Sequence, residues 1–308
     1  GSVTVNADNS GQTVTQGSTS TPDEAPVITQ RGSSAETSNT ITINAAENAT
    51  ANVTISNVNI DTSGAAIATS GKGNVNIELD GTNTLKSGVD HAGLEKNSDG
   101  NQGKLTITDE NENGKLIATG GSDAAGIGGG YCGDGNDITI AGGKVTATGG
   151  DYGAGIGGGD HGEGKNITIT DGEVTAIGGL NGAGIGGGLR KNGEKITVSG
   201  DATLKVQGGP TDAWDGAGAG IGNGGSHNGD YPEPCIPVNG AETEPDTSNL
   251  TTGKIEYYAP GADMTKDEPT STTFGSLVQP EPSSPGETGA PAEYRMQTSA
   301  SEPVQGNG

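Results

Sequence analysis

The sequence predicts an all-β solenoid, and three observations predict it. First, Ala125-Gly126-Ile127-Gly128-Gly129-Gly130 returns at Ala154 and again at Ala183, 29 residues apart each time. A fixed period near thirty residues is the mark of a stacked repeat. Second, each period carries short runs in which apolar and polar residues alternate, the pattern of strands with one buried face. Third, Gly, Asn and Asp fill the gaps between the runs, and no run has a helical period. About three short strands per period make one turn of a β-helix.

The elements follow in order within the period. Gly-Ile-Gly-Gly-Gly is the first strand, and its glycines leave room for little besides the isoleucine. The second strand is Ile138-Thr139-Ile140, matched by Ile167-Thr168-Ile169 and Ile196-Thr197-Val198. The third is Val145-Thr146-Ala147-Thr148, matched by Val174-Thr175-Ala176-Ile177 and Leu204-Lys205-Val206-Gln207. Stacking turns about 4.8 Å apart pairs each strand with its copy. Three inward ladders are expected: Ile127, Ile156, Ile185 and Ile221; Ile138, Ile167 and Ile196; Val145, Val174 and Leu204. Burial of these ladders must offset the backbone entropy of the glycines.

Upstream the spacing loosens. Ala65-Ala66-Ile67 and Ala92-Gly93-Leu94 stand in for Ala-Gly-Ile. Val53-Thr54-Ile55, Val75-Asn76-Ile77 and Leu105-Thr106-Ile107 stand in for Ile-Thr-Ile. Thr40–Ile43 and Val27-Ile28 read as earlier turns, which brings the count to roughly seven. The expected organisation is a cap or lead-in over 1–25, the β-helix over 26–225 and a C-terminal cap over 226–260. A Pro/Glu/Ser/Thr-rich linker follows over 261–308. Lys254–Tyr258 is the one plausible strand of the C-terminal cap, placed to cover the open end.

Composition sets limits. Leu, Ile, Val and Phe together are 47 of 308 residues, and the net charge is −24. In a chain without repeats that balance means disorder. Stacking overrides it over the repeats, because a thin core needs few large side chains. The acidity argues against nucleic acid and anionic membranes as partners. No apolar run is long enough to span a bilayer. Cys132 and Cys235 can pair only if the segment after Gly225 folds back toward the middle of the stack.

Several motifs dissolve on inspection. Gly153-Ala154-Gly155-Ile156-Gly157-Gly158 fits the dinucleotide fingerprint, but a polar turn and a strand follow where a helix is needed. Gly159 to Lys165 approximates a phosphate loop, with Asn166 where a hydroxyl should hold magnesium. Thr139, Thr168 and Thr197 form an outward ladder that reads as ordinary solvated strand threonine. Asp134, Asp137 and Glu163 make an acidic turn with a calcium-like Gly-Asp pattern. Calcium needs six to eight convergent oxygens, and later turns carry Lys165, Arg190, Lys191 and Lys195 instead. Calcium is the one cofactor left open; none is required.

Aromatic residues are scarce, so their places matter. Tyr131 follows one Gly-Ile-Gly-Gly-Gly strand and Tyr152 precedes the next; Trp214 lies in an insertion before the fourth copy, and Tyr231 follows it. Amphipathic rings on a rigid exposed edge suit stacking on sugars, with Asp and Asn bonding hydroxyls. The alternative is that the rings only cover turns. No Ser-His-Asp or Cys-His arrangement and no evident carboxylate pair points to catalysis.

The run Asn74-Val75-Asn76-Ile77-Glu78-Leu79-Asp80-Gly81-Thr82-Asn83-Thr84-Leu85, with Ala92-Gly93-Leu94, Leu105-Thr106-Ile107 and the Ala-Gly-Ile-Gly-Gly-Gly copies, resembles the repeat regions of surface proteins from gut Gram-positive anaerobes. More distantly it resembles the carbohydrate-binding β-helix proteins of clostridia, in which calcium and acidic or cellulosic polysaccharides are implicated. The resemblance covers roughly Val27 to Gly225 and implies a right-handed parallel β-helix, an extracellular or cell-surface location, and binding without catalysis. No site residue is carried over from it. The expected function is an adhesin-like protein that recognises a polysaccharide or host glycan through Trp214, Tyr152, Tyr131 and Tyr231. A protein-binding adhesin or structural stalk is the alternative, and a polysaccharide lyase the third choice. The oligomeric state is not readable from the sequence.

Overall fold

The computed structural model describes residues 1–30, 35–96, 103–229 and 236–277, and these form a parallel β-helix. Tyr231 and Cys235 lie outside the described residues. No helix among the described residues is long and apolar enough to cross a membrane.

The chain turns around one core with three faces. On the first, eight strands stack in parallel, from Val3–Asp8 to Ile221–Gly222. The second and third belong to one continuous sheet that bends between them. In Ile138–Thr148 and Gly164–Ile177 a single strand runs through that bend, with a register shift between Ile140 and Lys144. Six turns are complete, beginning at Ile41, Ile67, Leu94, Ile127, Ile156 and Ile185. The turn at each end is partial. On one face it contributes only a bridge, Thr37 to Ile60 at the start and Thr197 to Asp246 at the finish. Roughly seven turns were expected; six are complete and one at each end is partial.

The three ladders form as the repeat dictates. Ile127, Ile156, Ile185 and Ile221 pair in register and are fully buried. The ladder continues upstream through Leu94, Ile67 and Ile41 to Val3. Ile138 pairs with Ile167 and Ile167 with Ile196; Val145 pairs with Val174 and Val174 with Leu204. Each fully buried isoleucine contributes about 1.5–3 kcal/mol. Ile255, in Lys254–Tyr258, extends the third ladder by one rung.

One register differs from expectation. Val75 and Ile77 pair with Ala51 and Val53, not with Val53 and Ile55. Ile55 pairs with Leu79 instead. A shift of two residues leaves every side chain on its own face, so alternation alone cannot detect it. Upstream there is no Gly-Ile-Gly-Gly-Gly marker to fix the phase.

The ends are closed by antiparallel strands. Val3–Asp8 pairs in parallel with Ile41–Ala45, so the stack starts inside the segment read as an N-terminal cap. Gly11–Gln16 and Thr19–Pro22 then double back along its free edge. At the other end Ser271–Phe274 runs antiparallel to Lys254–Tyr258, past residue 260. Both devices keep a bare parallel edge from being offered to another chain.

Candidate functional site

The first face is built so that two rows of turns meet over it. In Ala125–Gly129 the Ala125 N–H donates to the Gly129 carbonyl at 2.9 Å, which draws the chain's entry and exit together. The same bond recurs from Ala154 to Gly158 and from Ala183 to Gly187. Glycine is obligatory at the bend. Gly157 has φ +137°, and a Cβ there would stand 2.0 Å from the Gly186 carbonyl oxygen. Backbone therefore packs on backbone, and nothing larger fits.

Entry and exit each make a four-residue turn. The entry turns are 88–91, 121–124, 150–153 and 179–182; the exit turns are 130–133, 159–162 and 188–191. Each closes with a bond from its fourth N–H to its first carbonyl, 2.8–3.2 Å. Copies stack on one another, as in Gly150 N–H to Ala124 carbonyl and Gly188 N–H to Gly162 carbonyl. The rows also tie to each other. The N–H groups of Tyr131, Asp160 and Leu189 donate to the carbonyls of Asp90, Asp123 and Tyr152, at 2.8–2.9 Å. The result is a rigid double ridge along the stack, one rung per turn.

Its tips are the variable part of an otherwise fixed repeat. On the entry row they read Ser122-Asp123, Asp151-Tyr152 and Leu180-Asn181; on the exit row Tyr131-Cys132, Asp160-His161 and Leu189-Arg190. The second tip residue is left-handed throughout, with φ 54–69° at Asp123, Tyr152, Asn181, Cys132, His161 and Arg190. Asn, Asp and His accept that conformation readily, whereas Tyr152, Cys132 and Arg190 cost about 1–3 kcal/mol each. Such cost, at the exposed Cys132 and Arg190 and the half-buried Tyr152, marks positions held for their side chains.

The ridge brings Tyr131 and Tyr152 to one group of carboxylates. Tyr131 is 54% exposed. Its hydroxyl is held above the ordinary tyrosine pKa by the bond and charge of Cys132, then by Asp160 and Asp123. The Tyr152 hydroxyl is raised by burial, then by Asp212, Asp151, Asp123 and Asp160. Asp123 is itself pushed up by burial and by Asp160, Asp90 and Asp151. Burial pushes Asp160 up, although His161 and Arg190 pull the other way; His161 Nδ1 lies 2.6 Å from its Oδ1.

Trp214 stands at the end of this ridge. It is 59% exposed, and its N–H donates to Oδ1 of Asp212, one of the carboxylates that act on Tyr152. The insertion is tied down by Asp215. Arg190 Nε and Nη2 donate to its two oxygens at 2.9 and 2.7 Å, and His227 Nδ1 lies 2.9 Å from Oδ1. Those bonds outweigh burial and hold the Asp215 carboxyl below its usual value. Tyr231, the fourth expected ring, lies outside the described residues.

The side chains of the acidic turn read for calcium link successive turns. Asp134 accepts from the Glu163 N–H at 2.8 Å, and Asp137 from Asn166 Nδ2 at 3.0 Å. Glu163 pairs with Lys165 at 2.6 Å. Each side chain thus joins one turn to the next or neutralises a neighbour. Among the described residues no three His, Cys, Asp or Glu side chains gather around a common point. Cys132 is exposed and its thiol is free, while Cys235 lies outside the described residues.

Sequence reading missed Asp123, Asp151, Asp160 and Asp212 as site residues. For Asp123 and Asp151 the signal was present in the paired entry-tip positions, the only ones that change between Gly121 and Gly130 and their copies except Ala124, which is Gly in the next two.

A family model described as a beta helix repeat matches residues 112–131, 138–160 and 167–189. These stretches hold the entry turns 121–124, 150–153 and 179–182 and strands beneath them. No curated protein and no solved structure matches the chain. The repeat fold is shared by adhesin-like and polysaccharide-related proteins, and the fold alone does not choose between them.

Proposed function

We propose that the chain is a secreted or cell-surface binding protein that recognises a polysaccharide or host glycan along the double ridge. One observation carries the reading. Tyr131 and Tyr152, on neighbouring turns and opposite rows, share the carboxylates Asp123 and Asp160. Rings offer a stacking surface for the apolar faces of sugars, and carboxylates accept hydrogen bonds from their hydroxyls. The scaffold under them is fixed by backbone bonds from turn to turn, so little ordering cost is left to binding. Trp214 extends the surface at one end.

The reading requires no cofactor and no catalysis. Arg190 is engaged with Asp215. A panel of plant, mucin and bacterial glycans tests it, with and without a calcium chelator. Binding to one class, unchanged by the chelator, supports the reading. Loss with chelator would add calcium to the site. Silence across all classes would turn attention to a protein partner or a stalk role, and release of unsaturated sugar would mark a lyase.

A further inference from the structure

We infer that the C-terminal edge strand, Ser271–Phe274, takes up an extended basic segment of a partner protein as one more strand of the sheet. Ser271–Phe274 is the last strand of its sheet and pairs on one side only, with Lys254–Tyr258. The Gly275 N–H donates to the Gly253 carbonyl at 2.9 Å. Bonded pairs alternate along an antiparallel ladder, so Thr273 and Ser271 turn their backbone groups to that neighbour too. Thr272 and Phe274 turn theirs outward, to an edge with no strand beyond it among the described residues. The matching strand at the other end, Thr19–Pro22, finishes on a proline, which has no N–H to offer. Ser271–Phe274 holds neither proline nor charge, and Phe274 is 55% exposed. One end of the stack is blunted against strand addition, and the other is open to it.

The two sides of this edge differ. Thr272 and Phe274 stand opposite Glu256 and Lys254, on the outer surface. Ser271 and Thr273 stand opposite Tyr257 and Ile255, which belong to the core side. They line a hollow of about 500 Å³ at the place a further turn would fill, together with Tyr257, Pro245, Glu242 and Glu244. No Lys, Arg or His lines it. The Glu242 carboxylate is fixed there by the N–H groups of Gly220 and Ile221, at 2.7 and 3.0 Å. Glu244 has no hydrogen bond or ion pair among the described residues. None of the ridge residues Tyr131, Tyr152, Asp123 and Asp160 lines the hollow, so the assignment is independent of the glycan reading.

This geometry selects the occupant. A strand added to the edge sends alternate side chains into the hollow and the others past Phe274. Those that enter meet two carboxylates and the Tyr257 ring, which favours Lys or Arg. Those outside meet Phe274, which favours an apolar residue. A second copy of this chain fits poorly. It brings a net charge of −24 against its like, and its own Ser271–Phe274 has no basic residue to place in the hollow. The occupant is therefore a segment in which basic and apolar residues alternate.

The test uses the full chain and three blocked peptides: one alternating Lys and Val, one alternating Glu and Val, and one with the Lys and Val of the first sorted into two blocks. The alternating Lys peptide should bind about tenfold more tightly than the block peptide, and the Glu peptide should not bind. Thr272→Pro removes an outward N–H and no bond to Lys254–Tyr258, so it should weaken binding about tenfold at an unchanged melting temperature. Glu244→Gln should weaken it about threefold, and it tests the hollow even if the proline variant fails to fold. Absence of binding by the alternating Lys peptide overturns the proposal. Equal binding of the block peptide overturns it as mere cation attraction. Full affinity in a folded Thr272→Pro variant, or in Glu244→Gln, overturns it as well. A dimer of the parent chain that Thr272→Pro dissolves would give the edge to a second copy and overturn it too.

Discussion

Each turn has an inner ladder and an outer tip, and the two follow opposite rules. Ile127, Ile156 and Ile185 are identical, fully buried and in register. Four residues separate them from Asp123, Tyr152 and Asn181, and there every turn differs. The ladder must be uniform because each rung packs on its own copy. The tip is free to vary because backbone bonds close it whatever side chain it carries, although Asn181 and Arg190 add side-chain bonds to the insertion around Asp215. On the proposed reading, the difference separates architecture from recognition within a single repeat.

The comparison can be broken most severely at the bend beneath the tips. Gly157→Val places a Cβ 2.0 Å from the Gly186 carbonyl oxygen at a φ of +137°. Loss of the cooperative thermal transition is expected; a native-like melting curve would show that the first face has slack. A smaller effect is expected on the ladder itself. Ile156→Ala leaves a cavity between two isoleucines and should cost about 2–5 kcal/mol in chemical denaturation. A cost under about 1 kcal/mol would mean that the stack closes over the gap.

The next effect is confined to the C-terminal end. Burial, followed by Glu242 and Glu244, pushes the Tyr257 hydroxyl up to about 12. Its folded pKa is raised, so its contribution is complete below the unfolded value near 10 and declines as pH rises toward 12. Alkaline titration should loosen Lys254–Tyr258 in that window while the central turns persist, as hydrogen exchange by segment would report. Simultaneous loss of all turns would contradict a local origin. The smallest effect is expected at a tip. Tyr152→Asn relieves a left-handed tyrosine with the residue the next turn already uses, and stability should rise by about 1 kcal/mol.

The ladders were legible because the marker Gly-Ile-Gly-Gly-Gly fixes the phase of every turn that carries it. Where it is absent, phase was lost: Ala51-Asn52-Val53 and Val53-Thr54-Ile55 alternate equally well. Asn83 shows a second limit. It occupies the ladder position opposite Leu116, fully buried, where an apolar residue is expected. Its Oδ1 accepts from the Val58 N–H and its Nδ2 donates to the Asp80 carbonyl, so the core tolerates it. The rings of the candidate site could be picked out by rarity alone. Their carboxylates could not, because Asp123 and Asp160 lie far apart in the chain and meet only through the cross-row bond between them.

The most direct test exchanges tips and leaves ladders untouched. Asp151→Leu and Tyr152→Asn, with Tyr131→Leu and Cys132→Arg, give two turns the tips that Leu180-Asn181 and Leu189-Arg190 already carry. The measurement is binding of this variant and the parent chain to the same glycan panel, alongside their melting curves. Unchanged melting with at least a tenfold loss of glycan affinity is the predicted result. Undiminished binding by a folded variant would contradict the claim that recognition resides in the tips.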